Sequence, residues 1–236
     1  MDGSTLFIGQ KRYSSWSLRP WILMKALRIS FSEAFVPVEG VGFNPRLLAA
    51  SPSGLLPLLQ LADKTVVWDS LAIAEFLYER FPAVWPADAA ARALARCVAA
   101  EMHSGFPDVR AQMSFHLGFE LAAPLPLEGK AAAQVARIEQ IWRECRERFG
   151  APSGAGPYLF GAFSAADAMY APVVFRFATY KVALPCPTAQ AYAQAMLGNE
   201  WMIEWRAAAL RDAAAEATIA HYDAHLAKLG GVSVKL

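Results

Sequence analysis

The chain contains no apolar run approaching the roughly 20 residues needed to cross a bilayer, so no membrane partner is expected. Its first ten residues lack the basic flank and long apolar stretch of a secretory signal, which points to a cytoplasmic protein. Cysteine is scarce. Cys97, Cys145 and Cys186 are odd in number, far apart and free of any CxxC spacing, so neither a disulfide framework nor a metal site is expected. A reducing compartment fits that usage. Of the four histidines, His221 and His225 have i, i+4 spacing, which at a helical tail reads as a solvated face rather than a ligand pair. An excess of either charge is also missing. A net charge of +1 leaves no basic footprint for nucleic acid. What the chain does have is apolar mass: 56% hydrophobic and 18% charged residues over 236 positions, enough for a sizeable core in one or two domains.

The two parts of the chain follow different patterns. Over residues 1–83, strand and helix signals alternate. Residues 5–8 read as a buried strand, 17–28 as a helix and 31–38 as a strand. A short helix is expected over 45–50. Residues 57–61 and 65–68 read as hairpin strands around Ala62-Asp63-Lys64, and 70–80 as a helix. The order is β-α-β-α-β-β-α. Beyond Phe81-Pro82, alanine-rich helical stretches dominate, at about 88–117, 128–149, 164–180 and 200–227. Proline- and glycine-rich breakers separate them, and no strand is needed. The reading is an α/β domain over 1–83, a linker near Trp85, and an all-α domain over 88–236.

Three segments carry candidate chemistry. In Tyr13-Ser14-Ser15-Trp16-Ser17-Leu18-Arg19-Pro20, the proline favours a helix capped at Ser17, with Ser14 and Ser15 in the loop before it. A hydroxyl there, beside the positive end of the helix dipole, suits an anion such as a thiolate. The plain alternative is that the serines only cap the helix. Arg19 reads as a surface arginine. In Ser51-Pro52-Ser53-Gly54-Leu55-Leu56-Pro57, a cis bond before Pro57 would present the backbone of Leu56 to an extended peptide. An ordinary trans proline opening a strand is the simpler reading. Asp69 and Ser70 begin the next helix, where they offer an acceptor for an ammonium and donors for a carboxylate, or simply a cap.

In this order, the serine loop, Ser-Pro-Ser-Gly-Leu-Leu-Pro and Asp-Ser-Leu-Ala-Ile-Ala-Glu-Phe-Leu resemble the cytosolic glutathione transferase family, bacterial-type. Phe163-Ser164-Ala165-Ala166-Asp167 resembles that family's N-cap box in the core helix of the second domain. The resemblance covers essentially the whole chain. It implies a thioredoxin-like N-terminal domain plus an all-α C-terminal domain, a homodimer, glutathione as co-substrate and a small hydrophobic electrophile as second substrate. Tyr13-Ser14-Ser15-Trp16-Ser17 looks most like the zeta-class loop, except that Trp16 stands where that class has a cysteine. By the same implication, Ser14 or Ser15 faces the sulfur, with Ser14 ranked first. Leu56 holds the cysteinyl backbone beside a cis Pro57, Asp69 and Ser70 hold the γ-glutamyl head, and Arg46 is a candidate for the glycyl carboxylate.

The second pocket is expected near Glu101-Met102-His103-Ser104-Gly105-Phe106-Pro107, where Gly105 and Pro107 bend a long helical run. His103, Ser104 and Phe106 are the candidates facing the sulfur, and Arg110 is a candidate for an acidic group. The activity implied is conjugation of glutathione. The alternatives are a glutathione-dependent isomerase or dehalogenase, and a non-catalytic binding protein that kept the fold.

Overall fold

The structure is a computed structural model, and it describes residues 1, 3–37, 47–48, 51, 53–211, 223–224 and 226–234. Arg46, most of the expected 45–50 helix, and the 221/225 histidine pair lie outside the described residues.

The first domain is a four-stranded sheet with helices. Strand β1 (Thr5–Ile8) pairs parallel with β2 (Ser32–Phe35) and antiparallel with β3 (Leu58–Gln60), which pairs antiparallel with β4 (Val66–Val67). The order β2-β1-β3-β4 is thioredoxin-like. Helix α1 (Ser15–Ala26) connects β1 to β2, and α2 (Ser70–Tyr78) follows β4. Helix α1 is buried nearly all round, as expected of a helix apolar on every face. It lies between the sheet and the second domain's helix α7 (Ala165–Thr179), with Leu18, Trp21, Ile22 and Met24 fully buried.

The second domain contains α3 (Ala89–Ser104), α4 (Pro107–Gln112), α5 (Gly129–Cys145), a π turn at Arg146–Gly150, and the short α6 (Ala151–Ser153). Then come α7 (Ala165–Thr179), α8 (Pro187–Leu197) and α9 (Glu200–Arg211). In the central helix α7, Asp167 accepts from the amides of Ser164 and Leu159, both at 2.9 Å, which completes the expected box. Arg96 of α3 holds Glu75 of α2 with two 3.0 Å bonds, tying the two halves together.

Three expectations are corrected. Helix α1 is capped by Ser14 rather than Ser17, so Pro20 sits inside the helix. Pro20 is then the sixth helical residue, beyond the first turn whose amides are unpaired in any case, and its missing N–H leaves the Trp16 carbonyl without its i→i−4 donor. The second half does contain strands: β5 (Phe119–Leu121) pairs antiparallel with β6 (Gly231–Ser233). Arg19 is not at the surface. It is 1% exposed.

Candidate active site

The sheet register gathers the three sequence segments at one end. Phe7 pairs with Leu58, so the end of β1 and the loop after it lie beside Leu56 and Pro57. Leu59 pairs with Val67, so the same proline lies beside the end of β4, where Asp69 begins α2. Crevices beyond strand ends are where open α/β sheets take ligands. The Leu56–Pro57 bond is cis, as is Trp68–Asp69. The backbone N–H and C=O of Leu56 have no hydrogen-bond partner among the described residues, which leaves them available to an added strand.

Asp69 is the N-cap of α2. Its Oδ1 accepts from the amides of Leu71 at 3.0 Å and Ala72 at 3.1 Å, and its Oδ2 pairs with His103 Nε2. Partial burial works against its charge, but the Ala72 amide, His103 and the Leu71 amide outweigh that and hold the carboxyl below its usual range. It is therefore a carboxylate at neutral pH. The Ser70 hydroxyl is buried and has no partner among the described residues. An unpaired buried hydroxyl is costly, so its donor is free for a ligand group.

Ser14 is half-buried. Its Oγ accepts from the Ser17 amide at 3.3 Å and donates to Ser17 Oγ at 2.7 Å, and that oxygen also accepts from Gly9 N–H at 3.2 Å. Ser15 is buried behind it, with its hydroxyl oxygen 3.5 Å from a donating Arg176 nitrogen. The loop is anchored on its far side by the second domain. Trp205 donates to the Lys11 carbonyl at 3.0 Å, and Arg12 donates to the carbonyls of Ala209 and Leu210 near the end of α9. Tyr13 donates to Asp223 at 3.0 Å. Burial, then Asp223, pushes the Tyr13 hydroxyl's pKa upward, so it stays protonated.

The second-pocket candidates separate. His103 of α3 reaches Asp69 and meets the Trp16 ring edge-on, 5.4 Å between centroids, so it belongs beside the sheet end. Arg110 donates to the backbone carbonyls of Met102, His103 and Gly105 and lies over Trp16. Ser104 is exposed and donates back to its own helix at Ala100. Phe106 is 6% exposed and packs into the core. Sequence reasoning missed Trp16 and Arg176 as members of this region. In the sequence Trp16 stands out only where a cysteine is absent, and Arg176 lies 161 positions from the Ser15 it touches.

Comparison with known families decides the affiliation. Residues 13–80 match the glutathione S-transferase N-terminal domain, and residues 87–211 match the glutathione S-transferase C-terminal domain. The chain belongs to the glutathione S-transferase family. No curated protein matches it. Among solved structures it is similar to a glutathione transferase homolog from Burkholderia GL BGR1 with bound glutathione. That likeness has 23% identity and a TM-score of 0.63, and covers 89% of this chain and 98% of that one. It is similar to glutathione transferase Omega 3C from Trametes versicolor at 20% identity and a TM-score of 0.64, covering 97% and 92%. It is also similar to Ure2p in complex with glutathione at 18% identity and a TM-score of 0.60, covering 87% and 93%. At these identities the likeness establishes the fold of this family member and no more.

Proposed function

We propose that the protein is a glutathione transferase that joins the thiolate of glutathione to a small electrophile. The observation that supports this most is the meeting of Leu56–Pro57, Asp69–Ser70 and Ser14 at one end of the sheet, each with chemistry suited to a different part of glutathione. The free backbone of Leu56 pairs with the cysteinyl residue as an added strand would. Asp69 receives the γ-glutamyl ammonium, and Ser70 Oγ with the first amides of α2 receives its carboxylate. The sulfur then lies toward the start of α1, where the Ser14 hydroxyl and the helix N-terminus favour its anionic form. The thiolate attacks the electrophilic carbon, a C–S bond forms, and the leaving group departs with the bonding pair. Trp16 leaves the loop without a thiol, which argues against chemistry through a mixed disulfide. Residues 1–83 form the glutathione-binding domain and 88–236 supply the second-substrate side. By family likeness the protein is a homodimer, the common symmetric closure.

Calorimetry tests the reading. Asp69→Asn keeps the helix cap but removes the charge that meets the ammonium, so glutathione affinity should fall by about 1–3 kcal/mol. Unchanged affinity in a folded variant rejects the assignment.

A further inference from the structure

Three guanidinium groups collect around Trp16 and Ser15. Arg19 of α1 is 1% exposed, and none of its three nitrogens has a hydrogen-bond partner among the described residues. Its guanidinium lies 4.1 Å from the centre of the Trp16 ring, and that of Arg110 lies 5.0 Å from the same ring. Arg176 of α7 is 6% exposed, donating to the Met113 carbonyl at 2.7 Å and to Ser15 Oγ at 3.5 Å. Among the described residues, no carboxylate forms an ion pair with any of the three.

Burial, then repulsion from Arg110 and Arg176, pushes the pKa of Arg19 far down, and the carboxylate of Asp69 offsets only part of this. Asp69 bonds helix amides and His103 and forms no ion pair with Arg19. Burial and Arg110 push Arg176 down to about 9. A guanidinium does not surrender its proton in a protein, so the charge stays, faced by the Trp16 ring and by no ion-pair partner among the described residues. Arg110 and Arg176 hold backbone carbonyls, which gives them structural work. Arg19 has no such work, and an apolar side chain of its size would fill the same space at lower free energy.

We propose that the Arg19–Arg110–Arg176 cluster receives an anionic group, a carboxylate or its equivalent, carried by the electrophile that glutathione attacks. The inference rests on the proposed transferase reading and extends the acidic-group role expected of Arg110 to a three-arginine site, which makes the electrophile an organic acid. The planar forks of arginine match a carboxylate, and the Ser15 hydroxyl adds a donor beside them. Ser15 adjoins Ser14, so the acid group is fixed close to the sulfur. Because the Trp16 ring covers the Arg19 guanidinium, the acid group reaches it only with the indole displaced.

The same chemistry exists in glutathione itself, whose carboxylates are the other source of an anion. Calorimetry with glutathione, S-benzylglutathione and S-(4-carboxybenzyl)glutathione separates the two, using wild type, Arg19→Met and Arg19→Lys. Wild type should bind the carboxybenzyl conjugate at least roughly tenfold more tightly than the benzyl one. Arg19→Met should lose that preference, keep its glutathione affinity within about twofold, and melt at a higher temperature because an unpaired buried charge is gone. Arg19→Lys should keep part of the preference. Equal binding of the two conjugates by wild type overturns the proposal while leaving the transferase reading intact. An equal loss for glutathione and both conjugates in Arg19→Met assigns the arginine to glutathione and also overturns it. A lower melting temperature with the preference intact makes Arg19 structural. Failure of wild type to bind glutathione at all removes the transferase reading, and this proposal with it.

Discussion

Replacing Ser14 by glycine removes the hydroxyl proposed to activate the sulfur while leaving the start of α1 nearly intact. Glycine at an N-cap costs only a few tenths of a kcal/mol, whereas alanine costs about 1 kcal/mol, so glycine isolates the chemistry from the fold. In the structure, the Ser14 proton is directed at Ser17 Oγ, 2.7 Å away. To serve a thiolate it must turn to the sulfur, giving up a neutral bond worth about 0.5–1.5 kcal/mol for a charged one worth about 1.5–3 kcal/mol. The difference is about 1–1.5 kcal/mol, or roughly one pKa unit. Ser14→Gly should therefore raise the pKa of bound glutathione by about one unit, read from thiolate absorbance against pH. Ser17→Ala removes the competing acceptor, so it should leave the pKa unchanged or lower it. Ser15→Ala should have little effect, because that hydroxyl lies behind the loop. An unmoved pKa in Ser14→Gly would refute the serine mechanism and assign activation to backbone amides.

Tyr13→Phe should leave the pKa of the bound thiol where it is, because the Tyr13 hydroxyl is turned to Asp223; an absorbance titration checks this. The same variant should lose about 1 kcal/mol of stability in urea unfolding. Asp167 is fully buried, and burial raises its carboxyl pKa to about 6 against the opposing amide bonds. The folded chain then holds a proton more readily than the unfolded chain, so this group's contribution is greatest below about pH 4 and is lost as pH rises through about 6. Asp167→Asn should flatten that part of the stability–pH curve, and Asp167→Ala should cost about 2–4 kcal/mol by orphaning the amides of Leu159 and Ser164. Sedimentation at micromolar concentration should give twice the 25.7 kDa chain mass, and a monomer mass would count against the dimer.

Local signals made much of this legible. The β1 bounds, the Asp69 start of α2 and the Ser164–Asp167 box each depend on a few adjacent residues, and each was readable. The start of α1 was not, because the proline rule pointed to Ser17 while Ser14 supplied a cap three residues earlier. Helix α8 went unread because Pro187, which opens it, looked like part of a breaker. The three-residue strands β5 and β6 are hidden in the sequence because each pairs with the other, across more than a hundred positions. Arg19 reads as a surface residue because helices α7 and α9, which enclose α1, come from distant segments. The candidate site followed this pattern. Its sheet-end residues lay in short motifs, whereas the Trp16–Arg176 neighbourhood was assembled by packing.

The anchoring of residues 11–13 by α9 and Asp223 affects how the two domains can be divided. The residues proposed to clamp the peptide, Leu56–Pro57 with Asp69–Ser70, stand on the first domain's sheet and helix, with the Asp69 carboxylate also held by His103 of α3. The serine loop depends on carbonyls and side chains nearly two hundred positions downstream. On the proposed reading, an isolated first domain would keep the Leu56 backbone and the α2 amides for the tripeptide, and lose both the His103 hold on Asp69 and the scaffold behind the serine loop. The second domain therefore reaches both parts of the proposed site: through Trp205 and the α9 carbonyls that Arg12 meets it holds the serine loop, and through His103 it holds the Asp69 carboxylate.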